Sequence, residues 1–241
     1  MARREIPTAE TLWNRHVSLY QEVFILALQE LSVCSLDREC DEDAISERLC
    51  PILRAVCFRE AQRMNSEIPI PLPQWEQPIQ PITEFDLKGG RHNKRPDFTC
   101  SVINRMAGNE YEYEIGLHIE CKLLGLPRSA SWILNSNYVR NGVERFDSPI
   151  HEYGKRASSG IMIGYIMTMC PRSILAEVNA YVRKYCPHNH LIEFECARGN
   201  VTQYRQPIAR RFLQPPGFRL VHLWVDLRVT PSSDSRVGEP V

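Results

Sequence analysis

The chain has no long hydrophobic run: nowhere do 18 apolar residues follow one another, so no segment reads as a membrane span. It has no excess of charge either, with 29 basic side chains against 29 acidic ones. A protein that held nucleic acid by bulk charge alone would be more basic, so a local patch or a partner subunit would have to do that work. The phosphate-cradling pattern GxxxxGK(S/T) is missing, which assigns any ATP-dependent step to a partner. Zinc-finger and recognition-helix signatures are missing too. Among nine cysteines there is no CxxC pair, and the odd count argues for free thiols in a reducing compartment. The one dense group, Cys186-Pro187-His188-Asn189-His190, lacks further ligands and reads as a polar turn after a helix. Met1-Ala2-Arg3-Arg4-Glu5 has charges but no apolar stretch behind it, so no secretory signal and a cytoplasmic location are expected.

What is present is the composition of a globular chain, 43% hydrophobic and 24% charged over 241 residues, long enough to bury a core without staples. Residues 8–33 predict a helix capped by Thr8, with Leu12, His16, Leu19, Val23, Leu26 and Leu31 as its stripe. A second helix is expected from Asp41 to Met64, with Ile45, Leu49, Ile52, Leu53 and Val56 facing the core and Pro51 kinking or splitting it. Prolines at 69, 71, 73, 78 and 81 make residues 68–82 a stiff connector anchored by Ile68, Leu72, Trp75 and Ile79. A hairpin follows: Phe98–Ile103, a turn at Ala107–Glu110, and a strand from Tyr111 to Leu124. Beyond it a helix is expected over Ser131–Phe146, a buried strand at 161–167, a helix at 171–185, and strands near 191–196 and 218–228. With no repeats and no clear boundary, residues 1–241 read as a single α/β domain. N-terminal helices would span 8–64, a catalytic core about 41–167, and an α/β extension about 171–228.

The stretch that carries chemistry is Arg95-Pro96-Asp97, followed across the hairpin by Glu120-Cys121-Lys122. Residues two apart on a strand share a face, so Glu120 and Lys122 put a carboxylate and an ammonium together. Asp97 opens the partner strand and is expected opposite Glu120. In this register Ile115, Leu117, Ile119 and Cys121 face one way, while Glu114, Gly116, His118, Glu120 and Lys122 face a mouth. Carboxylates are ligands for a hard divalent cation, and a cation beside an ammonium can offset charge developing on a phosphate.

By Pro96-Asp97 and Glu120-Cys121-Lys122 the chain resembles the PD-(D/E)xK phosphodiesterase superfamily, which includes restriction endonucleases and many phage-defence nucleases. The resemblance covers about 130 residues. It implies a restriction-endonuclease-like mixed central sheet flanked by helices, in the order helix, three strands, helix, strand. It implies that Asp97 and Glu120 ligate Mg²⁺ (or Mn²⁺), and that Lys122 positions or activates water and steadies the phosphate. A further glutamate from the preceding helix often completes such sites. Glu42 is the first choice here, because it lies on the inward face near the helix start, ahead of Glu47 and Glu60. Tyr138 and Arg145, seven apart on the following helix, are candidates for contacting phosphate. So are Arg91, Lys94 and Arg95 in the basic run that leads into Asp97. Arg140, Lys155, Arg156 and His118 are further options for backbone contact or for lining the cleft.

Three functions remain open at this point. The first is a metal-dependent endonuclease acting on DNA, the effector of a prokaryotic anti-phage system with a protein partner for targeting. The second is a catalytically idle nuclease fold with a structural or nucleic-acid-binding role in a complex. The third is an unrelated α/β binding protein in which the short motif is accidental. DNA against RNA is not separable from these residues.

Overall fold

A computed structural model describes residues 8–34, 40–64, 69–80, 94–104 and 107–228. Helix α1 (Ala9–Leu31) starts where the Thr8 hydroxyl accepts the Thr11 N–H, and α2 (Glu42–Arg63) starts where the Asp41 carboxylate accepts the Ala44 N–H. The buried stripe of α1 differs from the one expected. Trp13, Val17, Tyr20, Phe24, Leu28 and Leu31 point inward with Val23, whereas Leu12 is exposed and Leu19 and Leu26 are only half-buried. The aromatic residues set the face, because they bury the most area. Pro51 neither splits α2 nor ends it. It lies on the solvent side, as does Glu47 one turn earlier, so the carbonyl that proline cannot satisfy faces water.

Seven strands form one mixed sheet: β1 (Gln74–Trp75), β2 (Phe98–Ile103), β3 (Glu114–Leu124), β4 (Ser159–Ile166), β5 (Glu193–Arg198), β6 (Val201–Ala209) and β7 (Gly217–Asp226), in the spatial order β1-β2-β3-β4-β7-β6-β5. The pairs β3–β4 and β4–β7 are parallel and the others antiparallel. The C-terminal third is therefore no appendage: β7 lies beside β4 near the middle of the sheet. Strand β6 had no counterpart in the sequence reading. Gln203 and Gln206 are buried on opposite faces of the sheet, so buried amides on both sides hide its alternation.

Two helical layers cover the sheet. Helix α1 reaches across one face, where the His16 ring bonds the Cys100 carbonyl and the Gln21 amide bonds Gln203. On the other face the helix expected over Ser131–Phe146 is broken into α3 (Leu134–Arg140) and a 3-10 turn (Val143–Phe146). Gly142 marks the break, since a Cβ there would sit 2.5 Å from Met162 Cε on the sheet below and 2.4 Å from the Tyr138 carbonyl. Helix α4 (Pro171–Tyr185) spans the residues expected of it and packs against α3.

Helix α3 is tied down by a buried chain of hydrogen bonds. The Trp224 indole N–H donates to the Tyr138 hydroxyl at 2.9 Å, and that hydroxyl meets His222 Nδ1 at 2.7 Å. His222 Nε2 meets Gln206 Oε1 at 3.2 Å, and the Gln206 amide donates to the His190 carbonyl at 2.8 Å. Every partner is satisfied when His222 is neutral with its proton on Nε2. Tyr138 is thus a core residue and offers no surface to a nucleic acid, contrary to the expectation from its helical position.

Tyr138→Phe leaves His222 Nδ1 and the Trp224 N–H without a partner, and it should cost about 1–3 kcal/mol in urea unfolding. Burial pushes the His222 pKa down to about 3. The folded state therefore binds fewer protons than the unfolded one below the ordinary histidine range. Stability present above about pH 6.5 is lost as pH falls toward 3, with a slope of up to about 1.4 kcal/mol per unit from this group. Melting curves between pH 7 and pH 4 should fall less steeply for His222→Gln than for the parent chain.

Candidate active site

Strand β2 is shorter than its partner. It starts at Phe98, opposite Ile119, so no β2 residue pairs with β3 beyond that point. Carboxylates satisfy the N–H groups left over. Asp97, the residue just before β2, accepts the Cys121 N–H on Oδ2 at 2.5 Å. Glu42, in the first turn of α2, accepts from the Leu123 N–H. A strand that stops early, capped by acids, leaves carboxylates in line along an open edge.

Lys122 fills the middle of this row. Its ammonium lies 2.5 Å from Glu42 Oε1 and 2.7 Å from Glu120 Oε1, and it donates to the Cys121 carbonyl at 2.6 Å. Arg145, from the 3-10 turn, pairs with the same Glu120 oxygen. Glu42, Asp97 and Glu120 each present an oxygen within 4.8 Å of the other two. Glu42 was the first choice for a third acid. Glu47 is exposed elsewhere on α2, and Glu60 pairs with Arg63 at 2.6 Å.

The site is not the open mouth expected from strand alternation. Glu120 is 0% and Lys122 4% exposed, because α3 and the Gly142 turn press on the face that should have been polar. Arg145, Asp97 and Glu42 are only partly buried. His118 is buried as well. It accepts the Gly154 N–H on Nδ1 at 2.9 Å, and burial lowers its pKa to about 4, so it is a neutral support. Of the basic run, Lys94 is half-buried and the Arg95 side chain exposed, both just ahead of Asp97. Arg91 lies outside the described residues.

Tyr153 joins the site from the loop before β4. Its ring is crossed by the Arg145 guanidinium at 5.7 Å, and its hydroxyl donates to the Arg95 carbonyl at 2.7 Å, joining the Arg145 side of the site to the segment that carries Asp97. Arg210 holds the loop that presents Tyr153, donating to the Gly154 carbonyl at 3.0 Å while stacked 3.5 Å from the Phe218 ring. No motif marks Tyr153 or Arg210; only the fold brings them here.

Three carboxylates against two cations leave the cluster short of positive charge. Burial raises the pKa of all three acids, and the charge of a neighbouring acid adds to it, outweighing the pull of Lys122. Glu120 is pushed up to about 8. Lys122 behaves in the opposite way: burial opposes its charge, but Glu120, Glu42 and Asp97 outweigh it and hold the ammonium above its ordinary value. It is therefore a fixed positive charge and not a base at neutral pH. One acceptor remains, since the buried Glu120 Oε2 has no hydrogen-bond partner. An orphaned carboxylate oxygen beside two further carboxylates fits a hard divalent cation such as Mg²⁺ or Mn²⁺, which would restore the missing charge.

Searches against protein-family models, curated proteins and solved structures gave no match. The local chemistry is then the basis for reading function. No helix among the described residues is long and apolar enough to cross a membrane.

Cation binding needs carboxylates, so it should release protons from this raised set and strengthen as pH rises toward 8, the range to which Glu120 is pushed. Calorimetric titration with Mn²⁺ in buffers of different ionisation heat reads both effects. Glu120→Gln should weaken binding at least tenfold, whereas Glu47→Gln should leave it unchanged.

Proposed function

We propose that the chain is a divalent-metal-dependent nuclease of the PD-(D/E)xK type, hydrolysing phosphodiester bonds of DNA. The observation that carries this reading is the convergence of Asp97, Glu120 and Glu42 around the Lys122 ammonium, from residues up to 80 positions apart. The run of helix, three strands, helix, strand between Glu42 and Ile166 supports it, with the two-residue β1 counted as the first strand.

In the reaction a water oxygen bonds to phosphorus, the bond to the leaving oxygen breaks, and that oxygen ends protonated. The products are a phosphomonoester and an alcohol. A bound divalent cation would supply Lewis acidity toward the phosphate and would lower the pKa of water. The residues of the chain do the rest. Asp97, Glu120 and Glu42 would hold the ion. Asp97 and Glu42 are kept in place by the β3 N–H groups they accept, Glu120 by Lys122 and Arg145. Lys122, held protonated with its three N–H groups taken by Glu42, Glu120 and the Cys121 carbonyl, acts by its charge, offsetting negative charge growing on the phosphate. Arg145 adds a second cation at the exposed side.

The second reading, an idle nuclease fold within a complex, draws on the complete burial of Glu120 behind Lys122 and Arg145. The balanced net charge fits a partner that supplies targeting in either case, and the anti-phage effector role is part of the proposal.

Plasmid and single-stranded DNA incubated with the protein and Mg²⁺ or Mn²⁺ should be cut, and chelation should stop it. Asp97→Asn and Lys122→Ala should each lower the rate by a hundredfold or more, at unchanged melting temperature for a fair comparison. Cleavage that persists in both variants defeats the assignment. A chain that binds Mn²⁺ but cuts nothing, alone or with its partner, supports the idle reading.

A further inference from the structure

Beside the carboxylate cluster lies a separate hollow of about 200 Å³, bounded by α3, the 3-10 turn, the end of α4 and the loop after β6. Arg145 lines it and also pairs with Glu120, so the hollow and the cluster share a wall. It is smaller than the roughly 300–1,000 Å³ sites that enclose drug-sized ligands, so a unit the size of a nucleotide would be held only in part, with the rest in solvent.

Its lining has a modest excess of positive charge, three arginines against two acids. Arg140, Arg211 and His188 join Arg145, and the acids are Glu144 and Asp147. Both acids have partners already. Asp147 Oδ1 accepts the backbone N–H groups of Arg211 and Phe212 at 2.8 and 3.3 Å, and its Oδ2 faces His188 Nε2 at 3.2 Å. The Cys186 thiol meets Glu144 Oε1 at 3.9 Å. Asp147 Oδ2 also lies 3.6 Å from Arg211 Nε, so Asp147 both shapes the rim and offsets part of the Arg211 charge.

Two further features separate this hollow from a bare anion site. Asn189 lines it, and its side-chain oxygen is buried with no hydrogen-bond partner, an acceptor that a ligand N–H would satisfy once the carboxamide turns toward the hollow. Phe212 and Tyr185 offer aromatic surface, with Phe212 57% exposed. Arginines for a phosphate, a carboxamide for a base edge and a ring for stacking are together what a nucleotide requires.

We propose that this hollow is a nucleotide subsite, holding one unit of the substrate strand with its phosphate toward Arg140 and Arg211 and its base at Asn189 and Phe212. The assignment rests on the nuclease reading for its role in cleavage, but its binding chemistry is independent of it. Binding of deoxyadenosine 5′-monophosphate, inorganic phosphate and deoxyadenosine to the full chain is measured by calorimetry in chelator, where no strand is cut. The monophosphate should bind at least tenfold more tightly than either fragment. Arg211→Gln, on a largely exposed side chain and with an unchanged melting temperature as the check on folding, should weaken it about tenfold. Asn189→Ala should weaken the monophosphate severalfold and leave inorganic phosphate unchanged. Phosphate binding as tightly as the nucleotide, indifferent to Asn189, overturns the proposal in favour of an anion site. Absence of saturable binding, or binding indifferent to Arg211, overturns it outright. Uncut DNA with nucleotide binding intact removes the nuclease reading and leaves the subsite standing; cut DNA with no nucleotide binding does the reverse.

Discussion

The Lys122 ammonium is buried among carboxylates, and much of the surrounding structure exists to make that tolerable. A lone buried ammonium would be driven to neutrality, and so would each acid around it. Together they share protons and hydrogen bonds: Lys122 donates to Glu42, Glu120 and a backbone carbonyl, while Arg145 reinforces Glu120 from the exposed side. Burial is the main reason the acids hold protons more tightly than usual, with a neighbouring acid's charge adding to it, and the carboxylates in turn hold the lysine protonated. Once Glu120 loses its proton the site carries surplus negative charge and an idle oxygen, and it gains from a dication.

Strand length is the device that creates this cluster. Had β2 continued past Asp97, its backbone would have taken the N–H groups of Cys121 and Leu123, leaving no edge for side chains. Pro96, without an N–H of its own, precedes the residue where pairing stops. Glu42 reaches the gap because α2 begins beside it, so that its first turn supplies a ligand from a helix otherwise spent on packing. The Tyr138–His222 chain then fixes α3 on the opposite face, and the turn after it delivers Arg145.

Much of the element order was legible in the sequence. The pattern of capping residues located α1 and α2, Pro171 located the start of α4, and the apolar run at 161–167 located β4. The pair Pro96-Asp97 and Glu120-x-Lys122 pointed at the residues that converge, and helical arithmetic picked Glu42 over Glu47 and Glu60. Alternation misled at β3, where both faces are covered and polarity no longer implies exposure. The break at Gly142, strand β6 and the burial of Tyr138 were not readable, since each depends on what packs against it.

Residue type and spacing by themselves determined which side chains are chemically able to bind a cation and that two of them share a strand face, because a strand repeats every two residues whatever surrounds it. Only tertiary structure decided that Glu120 and Lys122 are sealed from water, that Arg145 pairs inward while Tyr138 serves the core, and that a basic hollow adjoins the acids. Burial and long-range pairing depend on elements tens of residues away, and local sequence carries no record of which of them will meet.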